Sequence, residues 1–430
     1  MKASLSALAL FVALAVSLTG CWDRWEINEL GIVSAAGFDL EGKDIVVTVE
    51  LFRPPVAGQM APAGAREPLT RASIVATGRG PTVVSAIRDL TRKVPRRIYW
   101  ALAIVVIVGE DLAKHGLEEV LDLWDREAEP RRTAFFLVAK GRAADVVIES
   151  QGSLEATLAE EVRGLQSTSK WGGYSFISSV HEVISGFQSD SRSASTGIIE
   201  VVPEKQPPIP RSPVPGEEEQ PVQPATLRMA QLSGVALFVR GKLVAEIPIS
   251  PASRGLCAAA GKINGTALDV PCPCREVPGA GRDASEETEN HMVELKLVGL
   301  ELETRFLGKA PRPQEGSDAL PDLRFEVKAK VRMSLSSQQC NADLTRADLT
   351  QKIQKEVAEL VAGDLGEAVE TCSQTSCDAF GFARALHIAD PELFRELKDH
   401  WPEVLKKIQV VTNAEAVMVR AGSVRKRPTG

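Results

Sequence analysis

The sequence predicts an α+β protein of several domains, with mixed sheets covered by helices. Three observations carry that expectation. Strand-like, β-branched runs interleave with helical stripes over the first two hundred residues. Residues 325–335 alternate apolar and polar side chains without a break, as a strand with one buried face does. A proline-rich stretch divides the chain near its middle. The 430 residues suffice for two or three domains, and a formal net charge of −7 argues against nucleic acid, which demands a basic field.

The N-terminus reads as a lipoprotein leader. Lys2 supplies a positive start, and residues 5–18 then run uncharged and rich in Leu, Ala and Val. A run of about 14 residues is too short for a hydrocarbon core needing roughly 20, but fits a secretory h-region. Leu18-Thr19-Gly20-Cys21 follows, with two small residues before a cysteine whose thiol can carry a thioether-linked lipid. Residues 1–20 are therefore expected as a signal peptide. Cys21 is expected as the lipidation site, bearing a diacylglycerol anchor and palmitate on the outer face of a membrane. Trp22 suits the headgroup level, whereas Trp25 is expected to pack on the first domain.

An N-terminal α+β domain is expected over residues 21–202. Residues 30–38 and 45–52 read as strands meeting at Glu41-Gly42-Lys43. Residues 81–94 carry a helical stripe through Val83, Val84, Ile87, Leu90 and Val94, with Pro81 at its start. A strand at 98–108, a helix at 112–124 and a strand at 133–139 come next. Three helices follow, at 143–150, 153–167 and 175–187. Residues 203–226, dense in proline, read as a linker or long loop. A small β-rich middle domain is expected at 227–285, with a hairpin turning at Arg240-Gly241. A C-terminal α+β domain fills 286–430. It holds the alternating strand, a long amphipathic helix at 343–370 with Asp343 as a candidate cap, a helix at 391–408 interrupted at Pro402, and a closing strand at 409–419.

Six cysteines follow Cys21, namely Cys257, Cys272, Cys274, Cys340, Cys372 and Cys377. Their pairing cannot be chosen from sequence. The best single disulfide is Cys372 with Cys377, closing a small loop after a helix. Cys272-Pro-Cys274 has a metal-like look but lacks C-x-x-C spacing and a partner pair, so no metal is expected. His115, His181, His291, His387 and His400 are scattered, and neither an H-E-x-x-H motif nor a G-x-S-x-G elbow is present. Glu118-Glu119 reads as a solvated helical face. No catalytic or cofactor-binding residue is expected, and the chain is not read as an enzyme. Arg88, Arg92, Lys93, Arg96 and Arg97, with Arg131-Arg132, suit either anionic headgroups or an acidic partner, or an ordinary solvated face. Arg425-Lys426-Arg427 reads as a frayed end or, alternatively, a membrane-facing tail.

Several stretches resemble one family, in its order. They are Cys21-Trp22-Asp23-Arg24 with Glu26-Ile27-Asn28-Glu29-Leu30-Gly31-Ile32-Val33, then Asp89-Leu90-Thr91-Arg92 with Arg97-Ile98-Tyr99. Val108-Gly109-Glu110-Asp111-Leu112-Ala113 and the hairpin Gly234-Val235-Ala236-Leu237-Phe238 with Gly241-Lys242-Leu243-Val244 come next. Asp378-Ala379-Phe380-Gly381-Phe382 and residues 391–401 close the series. Together they resemble the C subunit of spore germinant receptors, the Ger(x)C (GerAC-like) lipoproteins. The long proline-rich stretch and the six later cysteines depart from the family's pattern. The resemblance implies a non-catalytic, lipid-anchored extracytoplasmic subunit of a nutrient germinant receptor, required for spore germination. Its implied partners are a polytopic A subunit and a transporter-like B subunit, in the spore inner membrane or cell membrane. The competing reading is a solute-binding lipoprotein feeding a membrane transporter, which would favour two similar α/β lobes. No such duplication is visible.

Overall fold

The computed structural model describes residues 25–52, 73–150, 155–205, 226–273, 291–309, 323–340 and 342–420. Strands β1 (Leu30–Glu41) and β2 (Asp44–Phe52) form the expected hairpin, and β3 (Ser73–Gly80) adds to it antiparallel. Helix α1 (Val83–Thr91) leads to β4 (Arg97–Tyr99) and β5 (Val105–Gly109), then α2 (Glu110–His115), α3 (Glu118–Arg126) and β6 (Phe135–Ala139). Helices α4 (Ala143–Glu149) and α5 (Leu158–Gly172) precede the two-residue β7 (Ser178–Ser179), α6 (Val180–Gln188) and β8 (Ser193–Lys205). Strands β9 (Thr226–Val239) and β10 (Lys242–Pro248) complete a sheet ordered β10-β9-β8-β6-β5-β1-β2-β3, with β4 beside β1 and β7 beside β6.

The central strands β8, β6, β5 and β1 run parallel, and antiparallel hairpins flank them on both sides. Parallel strands with helical crossovers are buried on both faces and therefore read as continuous apolar runs. Val105–Gly109 is such a run, buried throughout. Val106 and Val108, with Phe136 and Val138, face the core that α1, α2, α3 and α6 cover. Val105 and Ile107, with Leu137 and Ala139, face the core under α4 and α5.

Two of the elements expected in this sheet and its helices divide. The strand expected at 98–108 becomes β4 and β5, because the pairing partners on β1 advance more slowly than the chain does. Arg97 pairs with Leu30 and Val105 with Ala35, so the intervening residues must loop out at Trp100–Ile104. The helix expected at 112–124 breaks at Gly116 into α2 and α3.

The domain boundaries also shift. Residues 193–205 pair with 226–239 in an antiparallel ladder, so the proline-rich stretch joins two partnered strands of one sheet. The hairpin assigned to a middle domain therefore belongs to the first sheet. Its turn is set by Arg240 (φ 49°) and Gly241 (φ 79°), two successive positive φ values that match the twist of a tight hairpin.

A second sheet has the order β11-β12-β13-β14, from Ala267–Pro271, Met292–Lys309, Leu323–Gln338 and Gln409–Arg420. Its inner face is Val293, Leu295, Leu297, Phe325, Val327, Ala329 and Val331. On its outer face Glu301 opposes Lys330, Glu303 opposes Lys328 and Arg305 opposes Glu326, pairs that favour this register. The long helix α8 (Ala347–Thr375), whose stripe is Leu349, Ile353, Val357, Val361 and Leu365, packs on the inner face with α7 (Pro251–Ala259). Arg346 rather than Asp343 precedes its first turn, and Asp343 instead accepts from the Thr345 backbone N–H at 3.1 Å. The helix expected at 391–408 becomes α10 (Pro391–Leu397) and α11 (Trp401–Leu405), after α9 (Phe382–Ala389). A 3-10 turn at Lys398–His400 separates α10 from α11, and Pro402 sits in the first turn of α11, where no N–H is missed.

The two sheets share a core. Side chains alternate along β9, so Ala236 and Phe238 point into the first core while Val235 and Leu237 enter the second. Asp378 joins the units as well. Its carboxylate accepts from the Phe382 and Ala383 N–H groups, both at 2.8 Å, capping α9, while its own N–H donates to Ser193 Oγ of β8 at 3.0 Å. Burial pushes this carboxyl up, against the pull of those backbone N–H groups. Asp378→Ala leaves two buried N–H donors without their acceptor and is expected to cost roughly 1–3 kcal/mol in urea unfolding. An unchanged midpoint would show that the cap contributes nothing.

Candidate functional site

Cys21, Trp22, Cys274 and Arg425-Lys426-Arg427 lie outside the described residues. The disulfide expected between Cys372 and Cys377 is not formed. Both are free and buried, and among the described residues a disulfide joins Cys272 to Cys340 instead. The Cys377 thiol is turned toward the first sheet, 3.5 Å from the Phe238 carbonyl oxygen, which explains why it does not close the small loop. Burial pushes Cys257 and Cys377 up to about 12 and Cys372 well above its ordinary value. Thiols held protonated in this way are not nucleophiles at neutral pH. Cys272, half of the metal-like pair, is consumed by the disulfide. Among the described residues no three His, Cys, Asp or Glu side chains converge as metal ligands, and no helix is long and apolar enough to cross a membrane.

Two other constellations carry specific chemistry. The first is the pole where β1 begins. Trp25 is 49% and Ile27 70% exposed there, and the Arg97 guanidinium lies over the Trp25 ring at 5.1 Å. A depression beside them is lined by Ile87, Val94, Arg96 and Trp100. Next to it runs a groove of about 510 Å³ whose walls include Ile32, Leu102, Ile104 and Phe135, with Arg131, Arg163 and Glu160. Leu102 is 45% exposed. Several cations of the predicted basic cluster are engaged: Arg92 and Lys93 pair with Asp89, Arg97 with Glu129, and Arg132 with Asp125. The ion pair to Lys93, first, and that to Arg92 hold the Asp89 carboxyl far below the usual range. The predicted cluster is thus mostly self-neutralised, as a solvated face would be, except at Arg88, Arg96 and Arg131, which, like Arg163 outside it, have no ion pair among the described residues.

The second is the junction of the two units. Arg254 of α7 forks onto Asp364 of α8, Nε to Oδ2 at 2.6 Å and Nη2 to Oδ1 at 2.8 Å. Its Nη1 donates to the Tyr174 hydroxyl at 3.1 Å, from the loop after α5. The helices approach closely because residue 255 is glycine. A Cβ there would stand 2.3 Å from the Asp364 carbonyl oxygen. Nearby, Lys262 Nζ donates to the Ile177 carbonyl and to Glu182, both at 2.9 Å. Burial alone would raise Glu182, but the hydrogen bond and charge of Lys262, together with the hydrogen bonds from Ser179, outweigh it and lower the carboxyl. The sequence reading missed this clamp. One signal was available, since Asp364 falls within the apolar stripe of α8 between Val361 and Leu365, where an acid requires a cationic partner. Its partner stands 110 residues away, so pairing was not legible.

Comparison with known proteins divides the chain within the first sheet, at the connection between β8 and β9. Residues 23–201 match the family described as the spore germination protein N-terminal domain, and residues 233–422 match the spore germination B3/GerAC-like C-terminal family. The chain is 25% identical over 424 residues to spore germination protein KC of Bacillus subtilis (strain 168), spanning 96% of this chain and 95% of that protein. It is 30% identical over 168 residues to the putative spore germination protein YfkR of the same organism, covering 38% and 43% of the two chains. The crystal structure of the GerBC protein aligns with a TM-score of 0.46 at 13% identity, over 89% of this chain and 96% of that one.

Proposed function

Because this chain belongs to the GerAC-like family of spore germination proteins, we propose that it is the lipid-anchored, extracytoplasmic C subunit of a nutrient germinant receptor. The observation that carries the reading is that both family matches fall in order and together span nearly all the described residues. A role in spore germination follows from the family. The anchor rests on the leader and Cys21, and the non-catalytic role on what the buried polar groups are engaged in. Asp378 caps a helix, Arg254 and Asp364 clamp two others, and the buried thiols are protonated. The proposed partners are a polytopic A subunit and a transporter-like B subunit. A diacylated Cys21 holds the folded domains at the membrane more firmly than one chain would. Confinement raises their effective concentration beside those partners, and the protein completes the complex through its surfaces.

Two measurements test this. Cys21→Ala is expected to abolish metabolic acyl labelling and release the protein from membranes. Retention of both would remove Cys21 as the anchor. In-membrane cross-linking with mass spectrometry is expected to recover a polytopic receptor subunit and a transporter-like subunit. Recovery of transport permease components instead would favour the solute-binding lipoprotein.

A further inference from the structure

We propose that the pole at which β1 begins is a docking face for an anionic phospholipid bilayer, so that the protein is oriented on the membrane as well as tethered to it. The proposal rests on the anchored reading above. Trp25 stands four residues beyond Cys21, a reach of at most about 14 Å for an extended chain. An acyl group on Cys21 therefore holds this pole, and no other, against the interface. The opposite end of the first sheet, at the β1–β2 turn around Lys43, lies about 35–40 Å farther along a strand of twelve residues.

The two ends differ as this orientation requires. At the far end Arg79 is paired with Glu41 and Asp44, and Arg142 with Glu41, leaving no open guanidinium in that group. At the near end large apolar side chains remain in solvent: Trp25, Ile27 and Leu102. An indole beside an arginine suits the headgroup layer, where an amphipathic ring meets both phases. The groove under Leu102 adds the charge complement. Arg131 and Arg163 line it, both exposed and both without an ion pair among the described residues, against Glu160 as the one acid of the lining. Unpaired guanidinium groups beside apolar walls are what lipid phosphates recognise, since the planar fork donates hydrogen bonds to two oxygens at once. The occupant is thus a bilayer surface, with its headgroup phosphates on Arg131 and Arg163 and Leu102 and Ile27 at the acyl boundary.

The test separates docking from acylation. The chain from Trp22 onward, which holds every described element, is tethered by an N-terminal hexahistidine tag to nickel-chelating lipid, replacing the acyl anchor. In a Cys274→Ser background, an environment-sensitive probe is placed at Leu102→Cys or, as control, at Lys43→Cys. On phosphatidylcholine vesicles containing roughly a third phosphatidylglycerol, the probe at 102 should shift to the blue. It should also be quenched by brominated lipid severalfold more than the probe at 43. Arg131→Gln with Arg163→Gln should lower the docked-to-undocked ratio by about fivefold per arginine, with an unchanged thermal melt. Omitting phosphatidylglycerol or raising the salt should act in the same direction. Equal quenching at 102 and 43, or quenching at 102 indifferent to both arginines, overturns the proposal. Failure of the anchor itself would appear separately, as an acyl label that survives Cys21→Ala or never forms.

Discussion

Arg254→Met is expected to destabilise the fold by about 3–5 kcal/mol at neutral pH. The reason is what stays behind. The Asp364 side chain is 6% exposed and Arg254 11%, so removing the guanidinium strands a carboxylate in the core. It also deprives the Tyr174 hydroxyl of its donor, opening the seam between the two units. The loss should depend on pH in a definite direction. Burial already pushes the Asp364 carboxyl up, with Arg254 opposing. Without Arg254 the folded-state value rises further above the unfolded one, so proton uptake favours the folded form. The deficit should therefore be largest at pH 7 and shrink as pH falls through that raised value. Urea unfolding at pH 7 and pH 5 reads both effects. The double variant Arg254→Met with Asp364→Leu should recover most of the loss, because replacing both charges leaves none unpaired. A single-variant loss below about 1 kcal/mol would mean that water reaches the pair.

Loss of the Cys272–Cys340 bond should cost a similar amount. The bond spans 68 positions in sequence, and the chain-entropy relation for a loop of that length gives about 4 kcal/mol. Cys272 follows β11, a five-residue edge strand whose described ladder partner is β12 alone, and Cys340 follows β13. The Cys272→Ser, Cys340→Ser variant should lose β11 before the rest of the second sheet, read as amide exchange concentrated at residues 267–271. Reductant should lower the melting temperature of the parent chain and leave the variant's unchanged. Equal melting with and without reductant in the parent would show that the bond contributes no stability. Cys257, Cys372 and Cys377 should resist alkylation until the chain unfolds, because each is buried.

How much was legible divides along physical lines. Local patterns sufficed where one face is buried and the period is clean. The strand around Phe325–Leu335, the hairpin at Arg240-Gly241 and the helical stripe from Val83 to Leu90 all appear where the sequence put them. Pairing between distant segments was not legible. Nothing local distinguishes a proline-rich linker from a connection between partnered strands, since that depends on whether residues 193–205 and 226–239 meet. The cysteines failed for the same reason, a nearby pair being expected where a distant one forms. Of the candidate sites, the basic cluster was visible as composition. Which of its members are neutralised depended on Asp89, Glu129 and Asp125, whose positions only the fold supplies.

The ladder between β8 and β9 bears on how the protein can be handled. The two matched regions end at 201 and begin at 233, inviting expression of each half alone. Either half would then carry a truncated strand, residues 193–201 of β8 or 233–239 of β9, stripped of its ladder partner, a sticky edge that invites aggregation. Proteolytic nicking between 206 and 225 should have the opposite outcome. The fragments remain zipped by that ladder and by the shared core, and should elute together as one particle until denaturant separates them. Co-expressed from two genes, the same halves should complement each other as a split protein, and tags or reporters can enter this connection with little cost in closure entropy.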